Sequence, residues 1–535
     1  MTDSPVRLKV PDWQAFEATV AELAQAKVAA KMAAQDPTLW GPEAEHEASV
    51  RLSWVGLAES SRPLVAEIEA LRSRCSADGV DRVVLAGMGG SSLAPEVITA
   101  TAGVELVTLD TTDAGQVRAA LVDLDRTVVV ISSKSGGTVE TDSHRRVFER
   151  AFTDAGIDAA SRIVVVTDPG SPLDELATKA KYREVFRADP HVGGRYSALT
   201  AFGLVPAGLA GADIGALLDQ AAAISPALCA DDPANPGLRL GALLGLAHNG
   251  GADKVVIADT GSGIVGFGDW AEQLIAESTG KLGKGLLPVV VESPAAPGFA
   301  DAGPDATLVH VGATDELPGS AYAATVTAPL GAQMLLWEYA IAIAGRLIGI
   351  NPFDQPNVEE AKAQARSLLE SPGKSAEEKP AFTEGAVEAY ADPALLQGRG
   401  TLRDLLGSLR ELAPERGYIA IQAYLDRLTD TSAADLRPAV ASSSGLQTTF
   451  GWGPRFLHST GQYHKGGHPN GAFLQITGVV EQDLAIPDRP YSFAVLQAAQ
   501  VAGDAKVLAD KGRPVVRLHL TDRRAGIGQL LEALS

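Results

Sequence analysis

Residues 81–93, Asp81-Arg-Val-Val-Leu-Ala-Gly-Met-Gly-Gly-Ser-Ser-Leu93, pass from a short apolar run into glycines and hydroxyls. An apolar run of this length reads as a strand buried on both faces, and a glycine-rich bend that opens a helix points backbone N–H groups at an anion. Similar runs follow at Val104-Glu-Leu-Val-Thr-Leu, Thr127-Val-Val-Val-Ile and Arg162-Ile-Val-Val-Val-Thr, each separated by enough chain for a crossover helix. A second alternation starts at Asp253-Lys-Val-Val-Ile-Ala-Asp and continues through Leu287-Pro-Val-Val-Val-Glu and Ala306-Thr-Leu-Val-His-Val. The pattern predicts an α/β protein with two doubly wound, flavodoxin-like parallel sheets and a C-terminal α/β region.

Four segments are expected. Residues 1–55 form a helical extension, on the spacing of Trp13, Phe16, Val20 and Leu23. Residues 56–212 and 213–365 hold the two parallel sheets. Residues 366–535 hold the C-terminal region, entered by a surface connection over about 366–400 and carrying strands at Phe473-Leu-Gln-Ile-Thr and Val515-Val-Arg-Leu-His-Leu. A chain of 535 residues exceeds one hydrophobic core, and 46% hydrophobic with 21% charged residues gives ample material for several.

Forty-five basic against 66 acidic residues leave a formal charge of −21, which repels nucleic acid and anionic membrane surfaces. A small phosphate ester is still admissible if local amides, hydroxyls and a few cations hold it. The two cysteines, Cys75 and Cys229, make neither a disulfide framework nor a metal-ligand spacing. The N-terminal residues lack the apolar core of a signal peptide, and the apolar stretch 326–350 is broken by Glu338 and Arg346, so a cytoplasmic protein is expected.

The Gly87 turn admits a nucleotide, a sugar phosphate or plain packing. A dinucleotide fingerprint would place glycine where Ser92 stands, although Asp110 lies at about the distance of a ribose-binding acid. The sharper signal is Ser132-Ser-Lys-Ser-Gly-Gly-Thr-Val-Glu-Thr after the strand at Val128. Hydroxyls of Ser133, Ser135 and Thr138, with amides freed by Gly136 and Gly137, suit a phosphate monoester at the carboxyl end of a parallel sheet. A helix cap would need one hydroxyl, not three.

These two turns, with Val192-Gly-Gly-Arg-Tyr-Ser, Gln273-Leu-Ile-Ala-Glu-Ser-Thr-Gly-Lys and Asn351-Pro-Phe-Asp-Gln-Pro-Asn-Val-Glu-Glu-Ala-Lys, resemble in order the motifs of the glucose-6-phosphate isomerase family and its sugar isomerase (SIS) domains. The resemblance implies aldose–ketose isomerisation of glucose 6-phosphate and fructose 6-phosphate through a cis-enediol, with no cofactor and no metal. It implies Glu277 as the base that moves a proton between C1 and C2, Arg195 as a cation near the enediolate, and Lys362 at the ring oxygen or O1. Gly90, Ser91, Ser133, Lys134, Ser135, Thr138 and Gln355 would bind the substrate. If 268–279 is helical, Trp270, Leu274 and Glu277 share one face, which places the carboxylate on the apolar side near the helix's negative end and raises its pKa.

The ring-opening histidine of the family lies between the base and the lysine motif, where this chain has His310 alone, inside an apolar strand. Leu457-His-Ser-Thr-Gly-Gln-Tyr-His-Lys-Gly-Gly resembles the family's histidine segment but follows the lysine motif, an arrangement similar to the isomerase half of bacterial transaldolase fusions. His458 is taken as the ring opener, with His464 second and as a substrate contact. The resemblance also implies a homodimer in which that histidine can be shared between subunits. A metal site at His458, His464 and His468 is weighed against the absence of a nearby carboxylate cluster. Three other readings share parts of the pattern: an isomerase of mannose 6-phosphate or an amino sugar, a non-catalytic phosphosugar-binding protein, and a dehydrogenase using the Gly87 turn.

Overall fold

The computed structural model describes residues 4–314, 316–370 and 379–535. Among the described residues, sixteen strands fall into three sheets. In chain order they are β1 (Val6–Lys9), β2 (Arg82–Gly87), β3 (Val107–Leu109), β4 (Thr127–Ser132), β5 (Ile163–Thr167), β6 (Glu184–Arg187), β7 (Lys254–Asp259) and β8 (Leu287–Val290). They continue with β9 (Ala306–Val311), β10 (Tyr322–Val326), β11 (Phe382–Glu384), β12 (Val387–Ala391), β13 (Tyr418–Tyr424), β14 (Gln447–Trp452), β15 (Gly471–Gly478) and β16 (Val515–Leu520).

The first sheet runs β3-β2-β4-β5-β6, all parallel, and every residue of β4 and β5 is buried. Burial on both faces is what the unbroken Val/Ile composition requires. The second sheet runs β1-β10-β9-β7-β8; its strands are parallel except β1, which pairs antiparallel with β10 in the register Val6↔Val326. Residues 6–9, expected in a helical extension, are therefore an edge strand, and their buried Val6 and Leu8 alternate with exposed Arg7 and Lys9. Phe16, Val20 and Leu23 do share one buried helix face, but Trp13 at the helix start is 46% exposed.

The third sheet runs β11-β12-β16-β15-β13-β14, antiparallel at β11/β12 and β12/β16 and parallel elsewhere. The segment expected as a surface connection thus supplies two strands, β11 and β12; residues 371–378 of it lie outside the described residues. At the centre of this sheet Gln422 faces Gln475, whose Nε2 donates to it at 3.1 Å and to Asp504 at 3.2 Å. Asp504 in turn pairs with buried Lys465.

One core joins the first two sheets with the N-terminal segment and centres on helix Leu330–Ile348, which is buried on nearly every side. A helix apolar all round belongs in the middle of a large domain. The third sheet has its own core, and Tyr418, Tyr463 and Phe473 pack it against Val256, Leu287 and Val289 of the second. None of the helices among the described residues is long and apolar enough to cross a membrane.

Candidate active site

The carboxyl ends of β2 and β4 open into two turns that face the second sheet's buried helix Phe267–Thr279. After β2 the chain makes a 3-10 turn at Gly89–Ser91 and enters helix Leu93–Ala102. Gly90 is crossed so closely that a Cβ there would lie 2.0 Å from the carbonyl oxygen of Gly194. Only glycine permits the Gly90 and Gly194 backbones to touch in this way. After β4 the hydroxyl loop leads into helix Val139–Asp154, with Ser133 Oγ and Thr138 Oγ1 sharing a hydrogen bond of 3.0 Å. Gly136 takes φ +68°, and a Cβ there would lie 2.7 Å from the Leu173 amide. Lys134 pairs with Asp168 at 2.6 Å and donates to the Pro190 carbonyl at 3.2 Å.

These elements enclose a cavity of about 340 Å³. Gly90, Ser91, Ser133, Lys134, Ser135, Thr138, Gln355, Lys362, Glu277 and His458 all line it, so distant segments of the chain meet as the motifs suggested. A second cavity of about 290 Å³ adjoins it and shares Ser135, Thr138, Lys362 and His458.

Glu277 sits at the C-terminal end of helix Phe267–Thr279, 4% exposed. The face argument is only part of its burial, because Gln273, Ile275 and Ser278 are buried too. Desolvation raises its pKa, and Arg195 and the Gln273 side chain hold back that rise. Gln273 Nε2 lies 3.4 Å from Glu277 Oε1 and donates to the His458 carbonyl at 3.0 Å.

Arg195 stands behind the base rather than in the cavity wall. Its Nε is 3.2 Å from Glu277 Oε2, and Nη1 donates to the carbonyls of Glu277 (2.6 Å), Asp354 (3.0 Å) and Pro352 (3.3 Å). Nη2 reaches Phe353 O (3.4 Å) and Gln355 Oε1 (3.1 Å). The guanidinium is thereby clamped between the base and loop 352–355, and its charge reaches the cavity through Glu277. Lys281, which sequence reasoning left without a role, fastens the same loop: it is buried, donates to Asn351 O at 2.8 Å and pairs with Asp354 at 2.6 Å. Burial and then Arg195 push its pKa down to about 7.

His458 belongs to the third region, in a 3-10 turn Arg455–His458, yet it enters the cavity of its own chain. Its Nε2 is 3.0 Å from Glu140 Oε1, and Gln500 Nε2 donates to the same oxygen at 2.7 Å. Glu140 is buried, which opposes its charge, but His458 and its own backbone bond outweigh burial and take its pKa down to about 2. An ionised carboxylate only accepts, so Nε2 carries the proton and Nδ1 is left as the exchangeable nitrogen. Glu140 was visible in the Thr-x-Glu-Thr motif, but nothing in the sequence tied it to His458.

His464 is turned away from the cavity. Its ring is stacked at 5.7 Å on Tyr418 and edge-on at 5.2 Å to Phe473, its Nδ1 is 3.0 Å from the Tyr418 hydroxyl, and burial pushes its pKa down to about 3. Its substrate-contact assignment is corrected accordingly: it lies in helix Gly461–Gly466, which wedges the third sheet against the second. His468 meets His248 instead (Nε2 to Nε2, 3.3 Å), so the three histidines do not converge, and among the described residues no group of three or more His, Cys, Asp and Glu side chains could hold a metal. His310 is in β9 against Phe299 at 5.2 Å, a core position.

Two α/β sheets, one parallel and one parallel but for its edge strand β1, with glycine and hydroxyl turns at one cleft define the phosphosugar-isomerase class of fold. The fold is shared with a hypothetical protein from Thermus thermophilus (TM-score 0.58, 24% identity, covering 68% of this chain and 100% of that one). It is shared also with a glucose-6-phosphate isomerase from Chlamydia trachomatis (TM-score 0.55, 19% identity, 68% and 88%). The family model for phosphoglucose isomerase matches residues 63–282. A glucose-6-phosphate isomerase from Lactobacillus helveticus is 32% identical over 47% of this chain and 68% of its own length. The chain belongs to the glucose-6-phosphate isomerase family. It spans 57% of the length of a probable glucose-6-phosphate isomerase from Natronomonas pharaonis (35% identity, 45% of this chain). It spans 65% of that of a Synechococcus elongatus glucose-6-phosphate isomerase (31% identity, 53% of this chain).

Proposed function

We propose that this chain interconverts glucose 6-phosphate and fructose 6-phosphate by proton transfer through an enediol, as a cytoplasmic enzyme of glycolysis and gluconeogenesis and as a homodimer. The observation that carries the reading is the joint placement of a desolvated carboxylate, Glu277, and a Glu140-oriented imidazole, His458, in one cavity walled by a hydroxyl loop.

In this mechanism the phosphate rests on the Ser133, Ser135 and Thr138 hydroxyls and the amides entering helix Val139–Asp154, whose positive end favours an anion. His458, with Nε2 held by Glu140, takes the anomeric hydroxyl proton on Nδ1 and delivers it to the ring oxygen as the bond from the anomeric carbon to that oxygen breaks, and Lys362 attends the oxygen that gains charge. Glu277 then takes the C2 proton and returns it to C1. Its raised pKa brings it nearer to the carbon acid it must deprotonate, and the Arg195 pair keeps it ionised. The Gly89 and Gly90 amides and Gln355 hold the enediolate oxygens.

A coupled assay on purified protein, supplied with fructose 6-phosphate and detecting glucose 6-phosphate, tests this with Glu277→Gln beside the native chain. A fall in kcat of about 10³-fold or more is expected, the size of a lost general base. Unchanged turnover in Glu277→Gln would remove Glu277 from the role. No turnover in either protein would remove the activity.

A further inference from the structure

Three residues ahead of His458, in the same 3-10 turn, stands Arg455, 7% exposed. Its side chain leaves the third region and enters the seam between the first two sheets. Nη1 lies 2.6 Å from Glu96 and 3.3 Å from Asp110, and Nη2 lies 3.4 Å from Asp269. Each partner is joined to a different part of the site. Glu96 is on helix Leu93–Ala102, which starts directly after the Gly89–Ser91 turn. Asp110 follows β3. Asp269 is in the first turn of helix Phe267–Thr279, the helix that carries Gln273 and Glu277.

We propose that Arg455 is a positioning residue that holds His458 in register with Glu277 and the Gly89 turn. The proposal rests on the reading of His458 as the ring opener. Guanidinium–carboxylate bonds are directional, so one planar cation shared by carboxylates of separate elements fixes angle as well as distance, which apolar packing does not. The turn packs closely on the site, so even a small displacement is felt there: a Cβ on Gly89 would lie 2.6 Å from the His458 carbonyl oxygen, which accepts from Gln273 at 3.0 Å. On its other side the turn is held by Phe456, edge-on to Tyr424 at 5.5 Å. Arg427 reaches Glu96 at 2.7 Å and Asp110 at 3.7 Å, so removing Arg455 leaves those two carboxylates one cation while Asp269 loses its own.

The test separates ring opening from proton transfer. Fructose 6-phosphate and glucose 6-phosphate must be opened before Glu277 can act. Erythrose 4-phosphate carries its phosphate on O4, cannot close a furanose ring, and needs only the proton transfer. In Arg455→Met, kcat for glucose 6-phosphate is expected to fall about 10- to 100-fold, the cost of a misplaced catalytic group, with KM little changed and erythrose 4-phosphate turnover near native. Arg455→Lys should recover part of the loss, since it restores the charge without the fork. If Arg455→Met does not fold, Asp269→Asn removes one anchor and should show the same split in smaller measure. Selective ¹⁵N-histidine NMR, with His458 assigned by its loss in His458→Gln, reads the position without any turnover: the Nε2 signal should move from its Glu140-bonded shift toward free imidazole. Equal loss on both sugars with an unmoved signal would overturn the proposal, as would native kinetics in Arg455→Met. If the native chain turns over neither sugar, the proposed activity falls, and the NMR signal alone decides the positioning role.

Discussion

Glu277 and Arg195 are balanced against each other at 3.2 Å, both under 5% exposed, and the balance sets the pH at which the base works. Burial raises the carboxyl and Arg195 is the largest influence lowering it. A base must be ionised, so kcat/KM should fall as pH drops through the raised folded value, above the ordinary glutamate range of about 4.3. Arg195→Met removes the lowering influence. The acid limb of the pH–kcat/KM profile should therefore move to higher pH, and stability should fall by about 3–5 kcal/mol because a buried carboxylate loses its partner. Glu140 has the opposite sign: its folded pKa of about 2 lies below the unfolded value, so its ionisation stabilises the fold above about pH 4.3 and that support is lost as pH falls toward 2. A thermal-melt series between pH 7 and 3 on native chain and Glu140→Gln checks this, and the two curves should converge at the acid end. At this scale the motif residues were legible where the chemistry demanded a residue type, as with Ser133, Thr138 and Lys362. The orientation of a side chain was not. Arg195 and His464 sit in motifs that named them, yet one is clamped behind the base by carbonyls of loop 352–355, and the other is drawn into an aromatic cluster with Tyr418 and Phe473.

The elements that build the cleft are positioned by close backbone contact, and Gly90→Ala tests that contact. A methyl there would meet the Gly194 carbonyl oxygen at 2.0 Å and its carbon at 2.6 Å, both backbone atoms that can yield only by moving the two turns apart. A shift of that size in catalytic groups corresponds to a loss of about 100-fold in kcat. Gly194→Ala meets nothing within 4 Å, and its Tm should stay near native while that of Gly90→Ala falls. Strands such as β4 and β5 were legible because a parallel strand buried on both faces must be continuously apolar. In contrast β13 and β14 carry Gln422, Gln447 and Gly451, polar or small residues that a search for apolar runs passes over. The burial of the two glutamines is supported by partners distant in sequence: Gln475 Nε2 donates to the Gln422 side-chain oxygen, and Gln447 Nε2 donates to the Gly298 carbonyl at 2.7 Å. The strand β1 escaped for another reason, since four residues alternating about an edge give little periodicity to read.

At the scale of the whole molecule, the displaced histidine motif and the third sheet explain each other. The histidine that the family resemblance allows to be shared between subunits is here carried on residues 455–458 of a region packed against its own chain's cleft. That packing is held by apolar contacts of Tyr418 and Tyr463 with the second sheet and by ion pairs with the first, including half-buried Arg523 to buried Asp113 at 2.8 Å. Every group the proposed mechanism uses is therefore supplied by one chain. Dissociating the proposed homodimer should leave turnover per chain unchanged, because Glu277, His458, Lys362 and the hydroxyl loop that line the cleft stay with their own chain. Specific activity measured through a dilution series that crosses the dimer's dissociation, followed by mass photometry on the same samples, should stay flat while the dimer fraction falls. A drop in activity that tracks the dimer fraction would mean that the cleft needs a second subunit, and that the contact of His458 with Glu140 within one chain is not what opens the ring.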